Sequence, residues 1–215
     1  MMMLPMLAAV LIAVGGIPAA TDLVAGEKER GTFEPLLTTQ AGRMSILFGK
    51  YLTVTLFAFV SVISQLIGIT IGSTISPSFF TMANPGGEVG FFMPIGALLL
   101  SILTVVALGM VFAAIQLAIS TIARSFKEAQ TYLSFLIFIA MVPSYATMMM
   151  QPDDLQLYMF FVPLLNAIAS LKMSLGGVIN YTYLTIGLGT SLVYVILSLM
   201  LAAWMFNREK FLFRN

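Results

Sequence analysis

Charged residues divide the chain into long uncharged stretches: 1–21, 51–87, 89–123, 129–152, 155–171 and 173–207. A helix needs about 20 apolar residues to cross the hydrocarbon of a bilayer. Five stretches are long enough, and the run 155–171 is marginal. The pattern predicts an all-α integral membrane protein, a single transmembrane domain over 1–215 with spans near 3–21, 52–76, 94–119, 129–150 and 183–206. Pro163, Asn166 and Lys172 interrupt the segment 157–175, and the pair Gly176-Gly177 follows it. A lysine at mid-bilayer costs about 2.5–3.5 kcal/mol. That segment is therefore expected to be re-entrant, entering and leaving on one side where protein or water covers its backbone.

Composition agrees with the pattern and excludes several kinds of chemistry. Hydrophobic residues make up 60% of the chain and charged residues 9%, against about 25% charged in soluble domains. Mean hydropathy is +1.01. Histidine and cysteine are both absent, which excludes thiol catalysis, disulfides, histidine-based metal sites and a Ser-His-Asp triad. An intramembrane protease of the prenyl-protease kind, which the glutamates near residue 28 bring to mind, would also need histidines. The net charge of +1 offers nothing to a nucleic acid. The methionine-rich start lacks a positive region, which argues against a cleaved signal peptide.

The basic residues sort by connection. Lys28, Arg30, Arg43 and Lys50 lie between the first two spans, Arg124 and Lys127 between the third and fourth, and Arg208, Lys210 and Arg214 in the tail. Placing all three groups in the cytoplasm satisfies the positive-inside bias. It leaves Glu88, Asp153, Asp154 and Lys172 outside, with the N-terminus outside and the C-terminus in the cytoplasm.

The densest charge lies in the elbow 22–50, TDLVAGEKERGTFEPLLTTQAGRMSILFGK from Thr21 onward. Gly26 and Gly31 bracket Glu27-Lys28-Glu29-Arg30 and are expected to loosen the helix as it leaves the membrane. Thr32 is a suitable N-cap for a short helix over Phe33 to Gln40, with Glu34 and Pro35 in its first turn. Phe33, Leu36 and Leu37 would then form an apolar face. Such a face suits either a lipid surface or docking into a groove on a soluble partner. Glu128 is expected to pair with Arg124 at helical spacing.

The elbow resembles the signature loop of ABC type-2 permeases of the sodium-efflux, Nat-type branch. The matching positions are Asp22, Gly26, Glu27, Lys28, Glu29, Arg30, Gly31, Thr32, Glu34, Leu36, Leu37, Arg43, Gly49 and Lys50. Pro163-Leu164-Leu165-Asn166 and Phe206-Asn207-Arg208-Glu209-Lys210 match further along. The resemblance makes the five spans equivalent to the second through sixth of the family, without its first span and extracellular domain. It implies an efflux permease of the plasma membrane, working as a homodimer or heterodimer with an ATP-binding-cassette ATPase subunit. Glu27, Glu29, Arg30, Thr32, Phe33, Glu34, Leu36 and Leu37 would form the ATPase-docking elbow, and Pro163 and Asn166 would belong to the re-entrant segment.

The chain carries no phosphate-binding loop of its own. Six residues separate Gly42 from Gly49 where the motif has four, and Tyr51 follows Lys50 where Ser or Thr is needed. No cofactor is expected on this chain, and ATP with magnesium would sit on the partner. No acidic residue lies within a predicted span, so a self-sufficient ion antiporter is disfavoured. Gln65, Gln116 and Asn166 read as interhelical hydrogen-bond partners, and Gly68-x-x-x-Gly72 as a close-packing site. Sodium is the leading substrate from the resemblance. A drug or antimicrobial-peptide exporter, or a truncated non-transporting scaffold, are the alternatives.

Overall fold

A computed structural model describes residues 3–37, 40, 42–75, 95–175 and 178–207. Glu88, Gly176-Gly177 and the tail from Arg208 lie outside these. So do the side chains of Glu34, Leu37 and Gln65.

The first helical path starts as α1 (Met3–Gly15) and continues as α2 (Ile17–Ala20), a π-helical turn (Thr21–Gly26) and α3 (Glu27–Glu29). Then come α4 (Phe33–Leu37), α5 (Arg43–Ile75), α6 (Ile95–Ile122), α7 (Phe126–Met148), α8 (Leu165–Leu175) and α9 (Tyr181–Asn207). No strand occurs among the described residues. Five helical stretches are long and apolar enough to cross a membrane: Pro5–Glu29, Arg43–Ser64, Ile95–Ile122, Phe126–Thr147 and Tyr181–Asn207. The protein is all-α and membrane-embedded.

These helices follow from local chemistry. α5 and α6 contain no proline and run unbroken for 33 and 28 residues. α7 starts where Ser125 accepts the Glu128 N–H at 3.3 Å, and it contains Pro143. A proline withholds one backbone N–H from the ladder. Close by, Ser144 Oγ donates to the Ala140 carbonyl and Thr147 Oγ1 to that of Pro143. The first path passes from α1 to α2 at Gly16, with Pro18 in the first turn of α2. There Gln116 of α6 donates to the Ala13 carbonyl at 2.7 Å, and Thr21 Oγ1 donates to those of Ile17 and Pro18. A Cβ on Gly16 would stand 2.3 Å from Gln116 Oε1, so only glycine leaves room for that amide.

The core gathers Ile12, Val24, Val54, Leu117, Leu133 and Ile168 from six different elements. α9 packs mainly along α6. Exposed Leu, Ile, Phe and Val side chains cover the outer faces of α5, α7 and α9, for example Leu56, Phe135 and Ile196. In a bilayer those faces meet lipid. Among the described residues nothing packs against Gly68, while Gly72 lies outside those whose surroundings are described.

Between α7 and α9 the chain makes a hairpin. Short 3₁₀ turns cover Pro152–Asp154 and Leu157–Phe161 before α8 begins. The Phe160 and Phe161 carbonyls accept from Thr190 Oγ1 (2.6 Å) and Tyr194 OH (2.8 Å), about two and a half and three and a half turns inside α9. From there α8 runs back towards the end it came from. Its Ser174 Oγ donates to the Ala97 carbonyl near the start of α6, and its Lys172 Nζ donates to the carbonyls of Thr147 and Met150 at the end of α7. Leu164 sits at the bottom of the turn with φ +78° and its side chain buried. A left-handed leucine is strained by about 1–2 kcal/mol, so surrounding contacts must hold it there.

Candidate functional site

The site is the charged end of the bundle, where α3 meets α5, α6 and α7. Contrary to the sequence expectation, Gly26 does not loosen the helix, which runs on through it to Glu29. Gly26 instead gives clearance. A Cβ there would lie 2.9 Å from Asp22 Oδ1 and 3.3 Å from Arg30 Nη2, the two partners of an ion pair passing over it. The helix ends one turn later at Gly31, whose φ is +69°. Gly31 N–H bonds to the Lys28 carbonyl and Thr32 N–H to that of Glu27, the paired bonds of a glycine-terminated helix end. Thr32 Oγ1 also donates to the Glu27 carbonyl at 3.3 Å. This hydroxyl therefore serves the end of α3 as well as standing before α4.

Helix occupies both flanks of the stretch 22–50. Residues 22–29 continue the first helix and 43–50 begin α5, which leaves 30–42 as the connection. The helix expected over Phe33 to Gln40 covers Phe33–Leu37. Each flank then follows its neighbouring helix.

Successive residues of a helix are about 100° apart around its axis. Glu27, Lys28, Glu29 and Arg30 therefore cannot all face one partner, and they fan out to different ones. Glu27 pairs with Lys50 of α5, whose Nζ also donates to the Leu23 carbonyl. Lys28 Nζ donates to the carbonyls of Thr121 and Ala123, where α6 ends. Glu29 Oε2 accepts the N–H of Phe126, the first residue of α7, at 2.7 Å. Arg30 turns back to Asp22 at 2.9 Å, and this hydrogen bond holds its guanidinium above the ordinary value. The Lys50–Glu27 pair is largely enclosed, with 6% and 21% of the side chains exposed, whereas both partners of Arg30–Asp22 are more than half exposed.

Phe33 corrects the sequence reading most directly. It was expected on an apolar face turned outward, yet only 2% of it is exposed. Its ring meets that of Phe206 edge-on at 5.8 Å, and the Lys50 ammonium lies 5.3 Å from its centre. Docking α4 against the bundle takes one of the three apolar side chains inward. Leu36 is half-buried and Pro35 exposed.

Of the remaining sequence candidates, Pro163 lies exposed at the hairpin turn. Asn166 is buried and donates to the Gly187 carbonyl, Thr190 Oγ1 and Ser191 Oγ, at 3.2, 3.3 and 2.7 Å. These two residues are far along the chain from the elbow and share no contact with it among the interactions described here. The predicted Arg124–Glu128 pairing takes another form: Glu128 accepts from the Arg124 backbone N–H at 2.7 Å and from Tyr132 OH at 2.6 Å. Sequence reasoning left Lys28, Lys50 and Phe206 out of the site. The signal for the two lysines was available, since a charge flanked by long apolar helices must find a partner within the protein.

No group of acidic residues capable of holding a metal ion occurs among the described residues. The site offers opposite charges, helix ends and one buried aromatic pair. That chemistry fastens helices to one another. Comparison with known proteins identifies where such an arrangement belongs. The profile of the ABC-2 family transporter proteins matches residues 2–211. The chain belongs to the ABC-2 transporter family. It is 31% identical over 207 residues to a protein of Bacillus subtilis (strain 168) described as ABC transporter permease protein NatB, covering 96% of this chain and 53% of that one. The chain thus spans about half the length of this curated relative. The charged elbow lies inside the matched region.

Proposed function

We propose that this chain is the membrane-spanning permease of an ATP-driven efflux transporter of the plasma membrane, with sodium as its leading substrate. The observation that carries this is the family match over nearly the whole chain, taken with a sequence that lacks a phosphate-binding loop. ATP and magnesium would then sit on separate ATP-binding-cassette subunits, and two permeases, alike or different, would pair to form the pathway. Basic residues at the charged end favour that end as cytoplasmic, with the N-terminus outside and the C-terminus in the cytoplasm. ATP-driven movement of the partner subunits would push on the connection 30–42 and rock the helices between inward and outward arrangements.

With Phe33 buried, Leu36 and Leu37 are the apolar side chains of α4 that would dock the ATPase in this reading. Seating one large apolar side chain contributes about 1.5–3 kcal/mol before ordering costs. Leu36→Ser with Leu37→Ser should therefore release the ATPase on co-purification while leaving the bundle folded. Phe33→Ser should unfold the elbow itself. Retention of the ATPase by the double serine variant, with equal stimulation, would show that α4 lies on the membrane surface instead.

Sodium is tested in vesicles carrying the complete complex. ATP-dependent sodium movement supports the reading, and its absence, with drug or peptide flux in the same vesicles, overturns the substrate.

A further inference from the structure

Lys28 and Glu29 are neighbours in sequence and carry opposite charges, and they engage opposite poles of two consecutive helices. Lys28 holds the C-terminal carbonyls of α6 at Thr121 and Ala123, and Glu29 holds the N-terminal N–H of α7 at Phe126. A cation at a helix C-terminus and an anion at a helix N-terminus are each the favoured polarity. The turn between the two helices, Ala123 to Ser125, is short and internally braced. Ser125 Oγ accepts from Glu128 N–H and Glu128 accepts from Arg124 N–H, and the Glu128 carboxylate also attracts Lys28. Ala25, Ala123 and Ala129 pack together behind it with no exposed surface. α3 and this turn therefore move as one piece or the contacts break.

We infer that Lys28 and Glu29 are positioning residues that carry movement of the elbow to the α6–α7 turn, setting the height of α6 against α7. This extends the proposed ATPase coupling and rests on it. The path differs from a push through α4 alone, because it runs through two charges on α3 to helices that the connection 30–42 does not touch in sequence. Glu27–Lys50 forms a parallel link from the same helix to α5, so one element addresses three helices.

The cysteine-free chain allows a direct test on the complete complex with its ATPase. Arg124→Cys, in the exposed part of the turn, is labelled with an impermeant maleimide with and without ATP and magnesium. It is combined with Lys28→Glu/Glu29→Lys, which sets each charge against the wrong helix pole, or with Lys28→Gln/Glu29→Gln, which neutralises both. The conservative control is Lys28→Arg. Co-purification of the ATPase is measured in every variant, and labelling is compared only among complexes that carry it. The ATP-dependent change in labelling should fall about tenfold in the swap and less in the neutral pair, in line with two partly buried charge–helix interactions, and Lys28→Arg should retain it. A merely structural role would alter expression or melting and leave the ATP response intact in the molecules that fold. If the swap does not insert, the neutral pair decides. Equal ATP responses in the neutral pair and the parent overturn the inference. No ATP response in the parent itself, with the ATPase bound, overturns the coupling reading on which it stands.

Discussion

At the charged end of the bundle, α3 is tied to its neighbours by Glu27–Lys50, Lys28 on the α6 carbonyls and Glu29 on the α7 N–H. At the opposite end the hairpin that leads into α8 is tied mostly by uncharged groups: Asn166 to Gly187, Thr190 and Ser191, Tyr194 to Phe161, and Ser101 to Ser170. Two charges are used there: Asp154 accepts the Gln151 N–H, and Lys172, like Lys28, holds the last carbonyls of a helix. The two solutions reflect what each segment requires. A hairpin inside the bundle has no water to solvate a charge, so amides and hydroxyls with modest individual strength are safer. A helix end at the bundle's rim can spread opposite charges over several partners, which sets orientation more strongly.

This contrast predicts a ranking of losses. Lys50→Met should have the largest effect. It strands Glu27 and the Leu23 carbonyl, and because Glu27 keeps 21% exposure the loss should be about 3 kcal/mol, near the low end for breaking a buried pair. Unfolding in detergent measures it, and Lys50→Arg should recover part. Asn166→Leu comes next. Three neutral bonds at about 0.6 kcal/mol each in a membrane protein give a loss of about 1–2 kcal/mol in the same assay. If it equalled Lys50→Met, the distinction between the two ends would fail. Gly187→Ala should cost about 1 kcal/mol, since its Cβ would meet Phe160 Cδ1 at 3.0 Å and Ser170 Oγ at 3.3 Å. Arg30→Ala should be indistinguishable from the parent in melting, because its pair with Asp22 lies open to solvent.

The long uncharged runs were legible because a bilayer imposes length on apolar sequence, and five helices long and apolar enough to cross a membrane are present. Helix ends were less so. Gly26 reads as a breaker in isolation, yet the helix continues through it because Asp22 and Arg30 need the space a side chain would fill. Thr32, Phe33 and the following leucines read as an exposed capped helix, and that reading failed at Phe33. The partner ring, Phe206, lies at the other end of the sequence, and local pattern carries no information about such a contact. The same holds for Lys28 and Glu29, whose partners are backbone groups of a turn nearly a hundred residues away. What the sequence does disclose is that four adjacent charges on a helix must point in different directions.

The contact between Phe33 and Phe206 also orders the events of biogenesis. Phe33 is synthesised early and Phe206 late, at the end of α9. While the ribosome is still making α9, the aromatic socket beside Lys50 stands half-built, and α4 has nothing to rest its ring against. Arrival of α9 closes the contact between the connection 30–42 and that helix. An insertion intermediate arrested before that point would carry an unlatched elbow, recognisable to a protease as a cut between Arg30 and Arg43.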